Sequence, residues 1–265
     1  MKKRGHKFRV FRTILVVAVI YMVICQYSFV TNSIGTFLSN PFGGNGRSVK
    51  KIEAYANANG IDMSEYSEEL ISLYERNPDA SDFVLEYPLK KNETHEINLS
   101  KYENCKTVPL LMQWDQDWGY SEYAGDLFGL TGCGPTSLSM VTIYLTGDVT
   151  MNPKKMAEFA TKNNYTTNGN GSKWTLFSEG GKKLGLDVTE LPLDETRIIN
   201  NLEVGNPIIC AMGPGDFTTS GHFIVLVGYE DGKIKINDPN SYQNSKKLWS
   251  FDKIKDQIKN LWAFR

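Results

Sequence analysis

The chain has 265 residues, 41% of them apolar, with 29 Lys/Arg against 30 Asp/Glu and a net charge of −1. That much apolar chain supports one well-sized domain with extras and excludes a wholly disordered polypeptide. Six of the basic residues (Lys2, Lys3, Arg4, Lys7, Arg9, Arg12) stand in the first 12 positions, so the other 23 face all 30 acidic residues and leave a net of −7. Most of the chain therefore has no electrostatic attraction for nucleic acid or for an anionic lipid surface.

Residues 13–30 (TILVVAVIYMVICQYSFV) are uncharged and mostly apolar, long enough to cross a bilayer as one helix. The basic flank at 1–12 stays in the cytoplasm and sends residues after about 31 outside. This predicts a single-pass signal-anchor in the cell membrane with an extracytoplasmic main domain. A cleaved signal peptide would export the same residues, although no small-x-small site precedes Thr31. Residues 31–50, rich in Gly, Asn and Ser, read as a flexible linker.

Residues 51–107 read as a mostly helical prelude. A first piece closes on Gly60; a second, 64–76, sets Tyr66, Leu70, Leu73 and Tyr74 on one face and stops at Asn77-Pro78. Beyond it, as far as Tyr102, only short apolar runs appear between polar breaks. Residues 108–265 carry stronger signals and read as the catalytic domain. Helices are expected at 134–146 closed by Gly147, at 153–164 opened by Asn152-Pro153, at 172–184 capped by Ser172, and at 194–204 capped by Asp194. Strand-like runs follow at 207–212, 222–229, 233–238, 246–251 and 261–264. Helices first and antiparallel strands last is the signature of an α+β domain.

The chemistry gathers at Thr131-Gly132-Cys133-Gly134-Pro135-Thr136. A thiol nucleophile works as its anion, and a helix N-terminus stabilises negative charge through unsatisfied N–H groups and the positive end of the dipole. The flanking glycines are expected to let the backbone turn sharply and the substrate approach, and Pro135 suits the first helical turn. A buried structural cysteine is the blander alternative. The base is expected to be His222, which opens the strand-like run FIVLVGY. The group that orients it is Asn237 or Asp238. If Glu230-Asp231-Gly232 forms a three-residue hairpin loop, Ile224 pairs with Asp238 and brings it beside His222; a two-residue Asp231-Gly232 loop puts Asn237 there. The three-residue loop is the preferred reading, consistent with Asp238-Pro239 ending the strand. Gln113 is the expected oxyanion donor together with the Cys133 N–H, and Gln116 is its competitor. Trp114, Trp118, Tyr120 and Tyr123 either line the cleft or belong to the core.

The cysteines are Cys25, Cys105, Cys133 and Cys210, and they lack metal-ligand spacing. A Cys105–Cys210 disulfide and two unpaired thiols both stay open. With only His6, His95 and His222, and neither H-x-x-x-H nor C-x-x-C, no metal or organic cofactor is expected.

Three runs, VPLLMQWDQDWGY, TGCGPTSLSMV and GHFIVLVGYEDGKIKINDPNS, resemble the exported bacterial relatives of the bacteriocin-leader-processing (double-glycine) peptidases, within the papain-like cysteine peptidase superfamily. The resemblance covers about 108–265, and ERNPDASDFVLEYP (75–88) resembles the prelude of such relatives. It implies a papain-like fold and a peptide or protein substrate. By position it makes Cys133 the nucleophile, His222 the base, Asp238 the acid and Gln113 the oxyanion glutamine. Leader-processing members are usually fused to a transporter, whereas this chain has no nucleotide-binding motif and no multi-span membrane domain, which argues against leader cleavage. A cell-wall peptide amidase or acyl transferase, and an inactive surface binding module with the same fold, are the alternatives.

Overall fold

The computed structural model describes residues 46–94, 96–169 and 171–265. The membrane span expected at 13–30, the linker up to residue 45 and His95 lie outside the described residues. Among the described residues, no helix is long and apolar enough to cross a membrane. Two compact units divide at Ala54 and Tyr55. In the first, the helix Arg47–Asn59 begins inside the stretch read as linker. Gly46 turns with φ +56, and Val49 and Ile52 already follow helical spacing.

The second unit opens with the prelude. Ser67 caps the helix Glu68–Arg76 by accepting the Leu70 N–H at 3.3 Å, and Tyr66, Leu70, Leu73 and Tyr74 are buried as their spacing predicts. Asn77 ends this helix. The next stretch departs from expectation, because Ser81–Lys90 is helical despite Pro88 within it. Tertiary packing overrides the local signal there. The buried Phe83 ring lies so close to Gly119 and Gly129 that neither has room for a Cβ, and it stacks on Tyr120 with centroids 4.6 Å apart.

Two small hairpins, β1 (Glu122–Tyr123) with β2 (Asp126–Leu127) and β3 (Thr166–Thr167) with β4 (Gly171–Ser172), stand apart from one six-stranded antiparallel sheet. Its order is β5 (Val188–Glu190), β10 (Ile258–Phe264), β6 (Ile208–Met212), β7 (His222–Glu230), β8 (Lys233–Asn237) and β9 (Leu248–Trp249). Helices come before a C-terminal antiparallel sheet, so the unit is α+β. Alternation along the strands buries both faces. Ile209, Ala211, Phe223 and Val225 join the cluster of the helix Cys133–Thr146, while Ile208, Cys210, Ile224 and Ile236 join that of the helix Glu195–Glu203.

Local departures have local causes. Ser172 does not cap a helix; it lies in β4 with its Oγ 2.7 Å from Tyr123 Oη, and helical structure continues through a π turn, Leu176–Gly180, into Gly181–Lys183. The run at 246–251 is strand only at Leu248–Trp249, because Ser241 caps a helical turn Tyr242–Ser245 before it and the helix Phe251–Ile254 follows. The short β5, hydrogen-bonded to β10, lacked a long apolar run to reveal it. Cys105 and Cys210 are both free thiols and belong to opposite apolar clusters, which leaves the disulfide unformed.

Candidate active site

Cys133 is the first residue of the helix Cys133–Thr146, which Gly147 closes in the left-handed conformation at φ 72. Leu138, Met140, Val141 and Ile143 of this helix are all fully buried, since it packs against both the helix Pro153–Lys162 and β7. Ser137, one turn beyond Cys133, donates to the Phe223 carbonyl at 3.4 Å and so ties the helix of Cys133 to the strand that carries His222. The flanking glycines are needed for close packing and not for the sharp turn expected. Gly132 has an ordinary φ of −82, and a Cβ would run into Phe128 there and into Ser172 Oγ at Gly134. We expect Gly134→Ala to lower stability by about 1–3 kcal/mol. Combining it with Ser172→Gly should recover part of that loss, read as Tm in a double-mutant cycle.

His222 opens β7, and its Nε2 lies 2.7 Å from Asp238 Oδ1. The route by which Asp238 arrives differs from the expected one. Glu230 pairs with Lys233 across a two-residue loop in which Asp231 and Gly232 both have positive φ (50 and 72), the type I′ geometry of an Asp-Gly hairpin. Continued without interruption, that register would set Asn237 opposite Leu226, on the face that His222 shares. A bulge between Leu226 and Gly228 shifts it by one, so Val225 pairs with Asn237 and Asp238 follows opposite Ile224. The shift shows in the packing, as Val225 and Val227 join one cluster whereas Tyr229 joins the other. Asn237 instead turns its amide away and donates to the carbonyls of Val108 and Pro109, both at 3.1 Å.

Asp238 is 1% exposed, and its carboxylate accepts two further bonds, from the Asn240 N–H at 2.9 Å and from Asn244 Nδ2 at 2.8 Å. Neither partner was identified from the sequence. The signal available was the turn Asp238-Pro239-Asn240-Ser241, closed by the Ser241 N–H on the Asp238 carbonyl at 3.2 Å, which folds the following residues back over the carboxylate. Burial works against a charge on His222, but the adjacent Asp238 carboxylate overcomes it. With the hydrogen bond and charge of Cys133 adding in the same direction, the imidazole pKa is raised to about 10.

That shift has a definite sign. The folded pKa lies above the unfolded value, so the stability His222 contributes is fully present below about 6.5 and is lost as pH rises through about 10. Unfolding midpoints measured across that window should fall, and His222→Gln should flatten the fall.

Gln113 reaches the site from the other side. Its N–H donates to the Pro239 carbonyl at 2.8 Å and its Nε2 to the Gly129 carbonyl at 2.9 Å, leaving the second amide hydrogen available. Gln116 is engaged elsewhere, with its Nε2 on Glu86 at 2.6 Å and its Oε1 accepting from Lys90 at 2.9 Å. Gln113, Cys133, His222 and Asp238 all line one cleft of about 480 Å³. Trp114, Trp118 and Tyr123 are buried, and none of the four aromatics lines this cleft.

A thiol at a helix start, beside an imidazole held by a buried carboxylate, with an amide donor across the cleft, is the arrangement that acyl transfer through sulfur uses. The sequence matches the family described as Peptidase_C39 like family over residues 105–264, and the chain belongs to that family, within the papain-like cysteine peptidase superfamily. Among solved structures it is similar to the peptidase domain of Streptococcus ComA, a bi-functional ABC transporter involved in a quorum sensing pathway. That likeness has 22% identity, covers 51% of this chain and 90% of that one, and has a TM-score of 0.40. It is also similar to a protein from Bacillus anthracis described as a C39-like peptidase, with 17% identity, 64% of this chain and 98% of that one covered, and a TM-score of 0.36. A search of curated proteins gave no match.

Proposed function

We propose that the chain is an active cysteine peptidase or amide hydrolase, anchored in the membrane by residues 13–30 and acting outside it on a peptide or protein. The observation that carries the reading is the buried His222–Asp238 pair at 2.7 Å with Cys133 as the further partner of the imidazole. The Cys133 thiolate attacks the carbonyl carbon, and the oxyanion takes hydrogen bonds from Gln113 Nε2 and the Cys133 N–H. The His222 imidazolium gives its proton to the leaving amine as the C–N bond breaks, leaving a thioester on Cys133. His222, now neutral, takes a proton from water, whose oxygen attacks the thioester; the carboxylic acid departs and the thiolate returns. The anchor rests on the basic cluster at 1–12 followed by the apolar run.

The test is incubation of the full chain with a mixed peptide pool and with peptidoglycan, reading new amines by mass spectrometry. New termini from the wild type and none from Cys133→Ala support the reading. New cross-links in place of free amines would mark an acyl transferase. Neither product would leave a binding module of the same fold.

A further inference from the structure

The charges of the cleft do not balance. Asp238 is committed to His222, and Asp216, the other carboxylate on its wall, is paired with Lys253 at 3.1 Å and accepts from Gln257 at 2.6 Å. Arg76, a cation that also lines the cleft, has no such partner. Its Nε donates to the Ser72 carbonyl at 3.2 Å, and its terminal nitrogens make no hydrogen bond or ion pair among the described residues. The next residue fixes where this cation stands. Asn77 is 7% exposed, and its side chain donates to the Asn240 carbonyl, in the turn that holds Asp238. Arg76 therefore projects from a backbone pinned to the catalytic-acid loop.

A second imbalance lies deeper. Gln113 Oε1 and Asn240 Oδ1 are buried oxygens without a hydrogen-bond partner, and both residues line the cleft. Both atoms are closed to solvent, so the exposed Arg76 is the group of the cleft that an incoming ligand meets unpaired. An unpaired guanidinium at the rim calls for a carboxylate, which it can bind through two parallel bonds.

We infer that the cleft takes peptides carrying a carboxylate within a few residues of the scissile bond, with Arg76 of the prelude as the residue that reads it. The inference rests on the peptidase reading above and adds a substrate class to it. It also gives the prelude a part in specificity.

The experiment uses the full chain and sets of peptides identical except for Glu, Gln or Lys at each position around the cleavage point, each with free or amidated C-terminus. Wild type is expected to cleave the Glu peptides about fivefold faster than their Gln counterparts, the size of one partly exposed ion pair, and the ratio should shrink as salt is raised. Arg76→Gln should bring the Glu/Gln ratio to about one, and Arg76→Lys should keep part of it. A preference that follows the free C-terminus instead of a Glu side chain would identify the carboxylate as terminal and still support the inference. Cleavage with no charge preference, or a preference that survives Arg76→Gln, overturns it and leaves the peptidase reading intact. If wild type cleaves nothing, the peptidase reading fails, and the same peptide pairs are titrated against the Cys133→Ala full chain. Tighter binding of the acidic member, lost in the Cys133→Ala, Arg76→Gln double variant, then supports the charge reading by itself, and equal binding overturns it.

Discussion

Cys133→Ala is expected to lower peptide hydrolysis on the order of 10⁶-fold, to the limit of detection, while the Tm moves little. In the proposed reaction the sulfur forms the thioester, and it is Cys133 that partners the imidazole beside the buried Asp238. Removing one partly buried sulfur at a helix start costs little packing. Rate and stability should therefore separate. Burst and steady-state assays on a cleaved peptide, beside thermal unfolding, measure the two quantities.

Asp238→Asn should cost about 10²–10⁴-fold in the same assay. Asp238 now accepts from three donors: His222 Nε2, the Asn240 N–H and Asn244 Nδ2. An amide in its place must turn its own NH₂ toward one side, against the Asn240 N–H or against Asn244 Nδ2, so the three bonds cannot all be kept as they stand. Losing the carboxylate charge also leaves burial at His222 opposed only by Cys133, and the imidazole pKa falls from its raised value. Leaving-group protonation needs the imidazolium. Activity should decline near pH 10 in the wild type and at clearly lower pH in Asp238→Asn, which a pH–rate profile of kcat/KM checks.

Much of this site was legible from short-range rules. Gly-Cys-Gly-Pro before an apolar run predicts a helix starting at the thiol, and His222 at the head of FIVLVGY predicts a strand that presents it. Asp238 was reached through a wrong premise. The preferred loop had three residues, the real one has two, and a bulge restores the parity. Gly228 inside the strand was the sign of that bulge, since a glycine interrupting a strand often marks one. Ser172 and Gly134 were misread because their contacts, Ser172 with Tyr123 and Gly134 with Ser172, depend on how distant segments pack. The helix Ser81–Lys90 was hidden for the same reason, its stability coming from Phe83 against Gly119 and Gly129.

The most direct measurement of the central claim is the rate at which iodoacetamide alkylates each cysteine of the full chain at neutral pH, mapped by mass spectrometry. Burial pushes the thiols of Cys105 and Cys210 up, so both should react slowly. The account predicts that Cys133 is modified first and that His222→Ala slows it by at least an order of magnitude. Cys133 reacting no faster than Cys105, or at a rate indifferent to His222, would contradict it.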